Sequence, residues 1–232
     1  MREIIIIPAF NEEKNIGAVL SAIAAEAPGF DVVVVNDGST DGTSAVARSF
    51  PGVRVIDLPE NIGIGGAVQT GFLYARAHGH ELAVQVDGDG QHKPSEVAKI
   101  AAPVRAGEAD AVIGSRFLDR SRFPGSPFRR AGIAVFQLVN RALLGERITD
   151  STSGFRAYNR RAIEVLAESY PDDYPEPEAI YILRRKGLRV REVPVEMKTR
   201  AGGRSSITLG RSLYYMLKVN LAILVLTLRK DT

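Results

Sequence analysis

The sequence predicts an α/β fold, a mostly parallel central sheet with helices packed on both faces. Doubly apolar strand candidates carry the first part of that prediction. Ile4-Ile5-Ile6-Ile7 and Val32-Val33-Val34-Val35 offer apolar side chains to both sides, which suits strands sandwiched between helix layers. Five such strands alternate with segments of helical period, the pattern of repeated strand–helix units. Polar residues gather where the strands end: Asn11 and Glu12, Asp37, Asp87 and Asp89, then Arg116. Open α/β sheets bind their ligands along that edge.

With 232 residues, 45% hydrophobic and 25% charged, the chain suits one sizeable domain, or one domain with a short appendage. The formal net charge of +3 is compatible with phosphorylated ligands or an anionic membrane surface and singles out neither. A nucleic-acid partner is not expected. Cysteine is absent, which excludes a disulfide framework, a thiolate nucleophile and thiolate-bound zinc. Met1-Arg2-Glu3-Ile4 runs directly into a strand, unlike a secretory signal, so the amino-terminal part is expected in the cytoplasm. No tract of about 20 uninterrupted apolar residues occurs, so no transmembrane helix is expected.

Taken in order, Pro8-Ala9-Phe10-Asn11-Glu12-Glu13 breaks the first strand. Ile16, Val19, Leu20 and Ile23 then fall at i, i+3, i+4 and i+7 of a helix. The second strand ends in Asn36-Asp37-Gly38-Ser39-Thr40-Asp41-Gly42, where Ser39 or Thr40 can cap a short helix bearing Ala45 and Val46. Val53-Arg54-Val55-Ile56 is the third strand, and Asn61-Ile62-Gly63-Ile64-Gly65-Gly66 leads into a helix reaching about Ala77. The fourth, Ala83-Val84-Gln85-Val86, runs into Asp87-Gly88-Asp89-Gly90-Gln91-His92, and a helix follows from near Pro94 to Arg105. Asp110 to Arg116 is the fifth strand, ending in a cation. Residues 116–130, with Pro124, Gly125 and Pro127, are loop-like. Further helices are expected from about Phe128 to Leu144, around Arg160 to Glu168, and from Glu176 or Glu178 after a Pro- and acid-rich loop, Pro171 to Pro177. Leu188 to Lys198 alternates as an edge strand does, and Thr199 to Ser206 is a basic loop suited to anions.

The carboxylates of Asp87 and Asp89 repel each other unless a cation lies between them. Asp-Gly is also a common turn dipeptide, so spacing alone leaves a polar turn and a cation site both open. The company of other polar strand ends favours the cation. An EF-hand beginning at Asp87 needs Gly at its sixth position and Glu at its twelfth, but His92 and Ala98 stand there. Gly63, Gly65 and Gly66 follow the third strand and lack the third spaced glycine of a dinucleotide fingerprint. No Gly-Lys-Ser/Thr triplet marks a P-loop. What remains is a divalent cation shared with substrate phosphates. Asp37 either accepts hydrogen bonds from a base or ribose or closes an Asx-turn. His92 is expected beside the pair or at the surface, not as a ligand.

Pro8-Ala9-Phe10-Asn11-Glu12, Asn36-Asp37-Gly38-Ser39-x-Asp41, Asn61-x-Gly63-x-Gly65, Asp87-Gly88-Asp89-x-Gln91 and Gly114-Ser115-Arg116 resemble, in order, the motifs of family 2 glycosyltransferases. Asp150-x-Thr152-Ser153-Gly154-Phe155-Arg156 and Arg204-x-Ser206 resemble the polyprenyl-phosphate branch, the dolichol-phosphate mannose or glucose synthase-like enzymes. The resemblance implies a GT-A (nucleotide-diphospho-sugar transferase) fold and Mg²⁺ or Mn²⁺. It also implies a nucleotide-diphosphate sugar donor of GDP-mannose or UDP-glucose type and a polyprenyl phosphate acceptor. By this similarity Asp87, Asp89 and Gln91 hold the metal, and Pro8, Ala9, Asn11, Glu12, Asp37, Gly65, Asp87 and Gly88 bind the nucleotide sugar. Arg116, Arg129, Arg130, Arg204 and Ser206 meet phosphates of acceptor or donor. Asp87, Asp89, Arg116 and Arg204 are the implied catalytic set. Two positions depart from the pattern: Ile64 stands where a basic residue is frequent, and Arg204-Ser205-Ser206 replaces a small residue–Lys pairing.

The expected reaction is an inverting transfer. A lipid monophosphate attacks without a general base, since phosphate is largely ionised near neutrality; a hydroxyl acceptor needs one. Asp150 is either that base or the residue that orients the Ser-Gly turn. Alternatives are a family 2 enzyme acting on a soluble sugar or small-molecule hydroxyl, and a non-catalytic nucleotide-sugar-binding regulator. Ile207 to Leu228 is apolar but short, and Lys218 interrupts it, so an amphipathic carboxyl-terminal helix is expected, lying at a membrane interface or joining a homo-oligomer. The expected division is a catalytic domain at 1–206 and this helix at 207–232, with the chain peripheral at the cytoplasmic membrane face.

Overall fold

The computed structural model describes residues 1–118, 148–171 and 175–198. Its elements are β1 (Glu3–Ala9), α1 (Glu13–Glu26), β2 (Asp31–Asn36), α2 (Thr43–Arg48), β3 (Val53–Asp57), α3 (Gly63–Ala77) and β4 (Leu82–Gln85). A 3₁₀ turn at Pro94–Glu96 then leads into α4 (Val97–Arg105), β5 (Ala111–Ser115), β6 (Arg156–Asn159), α5 (Arg160–Glu168), α6 (Pro175–Arg185) and β7 (Val190–Pro194). The seven strands form one sheet in the order β3-β2-β1-β4-β6-β5-β7. Only β6 is reversed, lying antiparallel to both β4 and β5, while the remaining pairs are parallel.

The doubly apolar strands feed two cores. Successive strand side chains point to opposite faces, so Ile4 and Ile6 join Val33, Val35, Ala83 and Phe72 of α3 on one side. Ile5 and Ile7 join Val34, Val84, Ile16 of α1 and Ile100 of α4 on the other. All four isoleucines are 0% exposed. That explains why the run carries no polar alternation, as expected for parallel strands between two helix layers.

Four details differ from the sequence-based expectation. β1 does not break at Pro8 but continues through Ala9. Pairing of β1 with β4 covers only Glu3 to Ile6, so the N–H that proline lacks falls beyond that ladder. α2 begins at Thr43 behind Gly42, leaving Ser39 and Thr40 outside it as loop anchors. α6 begins at Pro175, because a proline's fixed φ and missing N–H suit a first helical turn. Strand β6 went unforeseen: Arg156-Ala157-Tyr158-Asn159 has a cation and an amide at its ends and no apolar run. Its pairing with β4 and β5 on both edges overrides that weak local signal.

The expected edge strand is β7, at the end of the sheet beside β5. Among the described residues no helix is long and apolar enough to cross a membrane. The expected helix at 128–144, the basic loop at 199–206 and the helix at 207–232 lie outside the described residues.

Candidate active site

The carboxyl ends of β1, β2 and β4 open into a cavity of about 380 Å³. Pro8, Ala9 and Phe10 come from the end of β1, and Asn61, Gly63, Ile64 and Ala67 from the entry and first turn of α3. Glu12, Asp37, Asp87, Gly88 and Asp89 complete the wall. Among these described lining residues four are acids and none is Lys or Arg.

Side chains fasten the surrounding loops to one another. Asn11 adopts φ +55°; its N–H donates to Ser39 Oγ at 2.9 Å and its Oδ1 accepts from the Thr40 N–H at 2.9 Å. The Glu12 N–H donates to Thr43 Oγ1 at 2.8 Å. Asp41 accepts from the N–H groups of Glu13 and Thr43 at 3.2 and 3.0 Å. Burial works against the Asp41 charge, yet these bonds and the Thr43 hydroxyl hold its pKa below the usual carboxylate range. Asp37, 3% exposed, accepts the Ile62 N–H at 2.8 Å and through its carbonyl the Asn61 amide at 3.2 Å. Asp37 therefore closes the β3–α3 loop while still facing the cavity. Gly38, at φ +66°, leaves room for that loop, because a Cβ there would stand 2.6 Å from the Glu60–Asn61 backbone.

The Asp87–Asp89 turn extends β4, with the Val86 N–H donating to Ile6 O at 3.0 Å. The Asp87 N–H donates to His92 Nδ1 at 3.0 Å, and Asp89 Oδ1 accepts the Gln91 N–H at 3.0 Å. His92 lies beside the pair and not at the surface: it is 5% exposed and stacks on Phe155 at 4.8 Å between ring centroids. Burial pushes its pKa down to about 4, against the charges of Asp89 and Asp150, so the ring is neutral at pH 7. Its Nε2 stands 3.6 Å from Asp87 Oδ2. With Nδ1 accepting a hydrogen bond, the neutral ring carries its proton on Nε2, toward the carboxylate.

Asp87 is a strongly perturbed carboxylate. Burial first, then the charge of Asp89, raise its pKa to about 6, against Gln85, Arg116 and Arg156. About 31% of its side chain remains exposed, while Oδ1 is buried with no hydrogen-bond partner. Two adjacent carboxylates, one with an orphaned oxygen, fit a cation. Among the described residues no group of three or more His, Cys, Asp and Glu could hold a metal ion. The carboxylates offered to a cation here are the Asp87–Asp89 pair, the number commonly used for Mg²⁺ when substrate phosphates supply further ligands.

Beyond β4, the end of β5 leads to the cation Arg116, and the turn before β6 supplies the acid that holds it, Asp150. Arg116 grips Asp150 through Nε and Nη2 at 2.7 and 2.8 Å, and its N–H reaches the same carboxylate at 3.0 Å. The Asp150 side chain is 0% exposed. Burial opposes the Arg116 charge, but Asp150 outweighs it and the pKa lies above the ordinary arginine value. The Asp150 N–H in turn donates to Glu192 of β7 at 2.8 Å, and the Thr149 N–H to the same carboxylate at 2.7 Å. Burial raises the Glu192 pKa, with those two N–H groups opposing.

Of the residues singled out in the sequence, Pro8, Ala9, Glu12, Asp37, Asp87, Gly88 and Asp89 line one cavity. Asn11 is engaged with Thr40 and Gly65 is buried within α3, and neither lines it. Gln91 is not in the lining either; its carbonyl accepts the Lys198 N–H at 2.8 Å. Asp150, left open between base and turn residue, has both oxygens on Arg116. Arg129, Arg130, Arg204 and Ser206 lie outside the described residues. Sequence reasoning gave no role to Arg156 or Glu192. Arg156 closed a recognised motif, whereas Glu192 sits in an alternating strand with no signal of its own.

Known proteins share this architecture. The chain is 32% identical over 216 residues to polyprenol monophosphomannose synthase of Mycolicibacterium smegmatis, covering 89% of this chain and 81% of that protein. It is 33% identical over 218 residues to undecaprenyl-phosphate mannosyltransferase of Micrococcus luteus, covering 90% and 89%. The crystal structure of glucosyl-3-phosphoglycerate synthase from Mycobacterium tuberculosis with Mn²⁺, UDP-glucose and phosphoglyceric acid superposes with a TM-score of 0.72 at 22% identity, covering 96% of this chain and 79% of that one. That likeness supports the GT-A fold. The profile of glycosyl transferase family 2 matches residues 4–167, and together with these relatives it shows that the chain is a glycosyltransferase belonging to family 2.

Proposed function

We propose that the chain transfers a sugar, with inversion, from a nucleotide-diphosphate sugar to a polyprenyl phosphate with the help of Mg²⁺ or Mn²⁺. The observation that carries this reading is the Asp87–Asp89 pair on the wall of an acidic cavity, with Asp87 Oδ1 buried and unpartnered. A bound divalent ion supplies charge neutralisation for the departing diphosphate. Asp87 and Asp89 hold it, Asp37 faces the nucleoside, and Ala9, Phe10 and Ile64 give the cavity its apolar wall. GDP-mannose and UDP-glucose are the donor types proposed.

The acceptor follows from the cationic side. Both oxygens of Asp150 are bonded to Arg116, so this acid is spent as a clamp and is a poor general base. A phosphate nucleophile needs none near neutrality. Arg116, fixed by two bonds along one edge, brings a rigid guanidinium suited to phosphate. The same relatives support this acceptor, two of them being named for polyprenol or undecaprenyl phosphate. Arg129, Arg130, Arg204 and Ser206 are the further phosphate contacts proposed. The segment 207–232 is proposed to lie on the cytoplasmic face of the membrane, or between copies of the chain.

The test is release of nucleoside diphosphate from a panel of nucleotide sugars, with and without EDTA and with and without polyprenyl phosphate. Release is expected only when both metal and polyprenyl phosphate are present, with the product of opposite anomeric configuration by NMR. Release that survives EDTA, or that responds to soluble sugars and not to polyprenyl phosphate, overturns the proposal.

A further inference from the structure

We infer that Arg156, a side chain with almost no access to solvent, is a positioning residue that sets both Asp87 and Arg116 against the donor diphosphate. The inference rests on the function proposed above. Arg156 stands opposite Gln85 in the β4–β6 register, two residues before Asp87. It is 1% exposed. Its guanidinium forks into three carbonyl oxygens: Nε to Ser153, Nη2 to Ser151 and Nη1 to Glu176, each at 2.7 Å.

Two of those bonds brace the turn from Ser151 to Ser153 from beneath, and that turn touches both halves of the site. At its start, Asp150 holds Arg116 bidentately. At its end, Gly154 abuts the metal-side carboxylate, since a Cβ there would lie 3.1 Å from Asp87 Oδ1 and 3.2 Å from Oδ2. The Ser153 hydroxyl also donates to Gly114 O at 2.7 Å, tying the turn to β5. The third guanidinium bond pins the turn to the first residues of α6. A buried arginine is a costly way to fill a core, and apolar residues of similar volume commonly serve as well. A planar fork that fixes three carbonyls at once is what lysine or methionine lacks. Arg156 therefore sets the spacing between a carboxylate and a cation that it does not itself bond.

The test compares Arg156→Lys, Arg156→Gln and Arg116→Lys, singly and with each Arg156 variant combined with Arg116→Lys. The readouts are kcat, donor KM, affinity for a nucleoside diphosphate with Mn²⁺, and thermal melting. A folded Arg156→Lys is expected to lower kcat about 30-fold and to weaken binding of the Mn²⁺–nucleoside diphosphate about 10-fold, the scale at which outer partners of a metal site act. In the Arg116→Lys background the further loss in kcat is expected to shrink to about 3-fold, because residues that act as a unit are non-additive. Full additivity overturns the inference, as does a folded Arg156→Lys that keeps wild-type kcat and affinity. Failure of both Arg156 variants to fold also overturns it, since Arg156 would then serve the fold and not the site. Lack of turnover by the wild-type protein would count against the proposed function instead, and the Mn²⁺–nucleoside diphosphate affinities would still decide the role of Arg156.

Discussion

The two halves of the sheet meet at Asp87 with opposite chemistry. On the β3-β2-β1-β4 side, the strand ends supply Glu12, Asp37, Asp87 and Asp89 to a cavity with no cation among its described lining residues. On the β6-β5-β7 side, the buried acid Asp150 and the half-buried acid Glu192 are engaged in holding Arg116 and the turn beside it. One half presents negative charge to its cavity, and the other uses its acids to hold Arg116 and the turn beside it. Under the function proposed above, a donor diphosphate is repelled by the first half until a cation is added, and meets Arg116 on the second. The division predicts that changes on the acidic side act through metal and donor binding, while changes on the cationic side act mainly on turnover.

The sharpest way to break this division is Asp89→Asn. It removes one of the two carboxylates and is expected to weaken Mn²⁺-dependent binding of a nucleoside diphosphate by about 100-fold or more, since charge on the ligand set dominates such sites. Calorimetry with and without Mn²⁺ checks it; a variant that keeps wild-type affinity would refute the acidic half as the metal side. Next is Gly154→Ala at the seam. The added Cβ would stand 3.1 Å from Asp87 Oδ1 and 3.2 Å from the Gln85 amide nitrogen, so the carboxylate must move. Metal-dependent nucleotide binding is expected to fall about 10-fold, with a stability loss of about 1–3 kcal/mol from overpacking. Unchanged affinity would mean that Asp87 relaxes freely there.

A pH series sharpens the comparison further. Asp87 titrates near 6 in the folded protein, above its ordinary value of 3.8. The folded state therefore binds that proton more tightly than the unfolded state, and ionising Asp87 without a metal costs stability as pH rises from about 4 to about 6, by up to about 3 kcal/mol. His92, depressed to about 4, has the opposite sign and costs stability as pH falls from about 6.5 to about 4. With Asp87 holding the metal as proposed, a Mn²⁺-induced rise in Tm requires its carboxylate and is expected to be large at pH 7.5 and mostly lost at pH 5. The same rise at both values would contradict this assignment of the metal to Asp87.

The acidic half was largely legible in the sequence; of the cationic half Arg116 was legible, and the contacts that hold it were not. Ile4 to Ile7 and Val32 to Val35 announce buried parallel strands because both their faces are apolar, and the acids that follow each strand fall at one edge by topology alone. Strand β6 is held by its neighbours, so no local periodicity marks Arg156 to Asn159. The roles of Asp150 and Glu192 depend on contacts across 34 and 42 residues of chain, which no single-chain motif encodes. Asn11 belongs to a recognised motif, and the structure adds what the motif does not show: its side chain accepts the Thr40 N–H and ties the β1–α1 loop to the β2–α2 loop.

The smallest expected effect tests the repulsion itself. Ile64 lines the cavity with 44% exposure, so Ile64→Lys can add a cation to the acidic half without disturbing the core. At partly exposed separations of several ångströms a single charge contributes about 1 kcal/mol, which corresponds to about 5-fold. Without metal, a nucleoside diphosphate is expected to bind the variant about 5-fold tighter than wild type; with Mn²⁺ the gain should be smaller, because the ion already neutralises the same acids. Raising salt to about 0.5 M should remove most of the gain, as screening reaches within a few ångströms. If metal-free affinity does not move at low salt, the carboxylates of the cavity do not repel the diphosphate, and the two halves differ in geometry but not in charge.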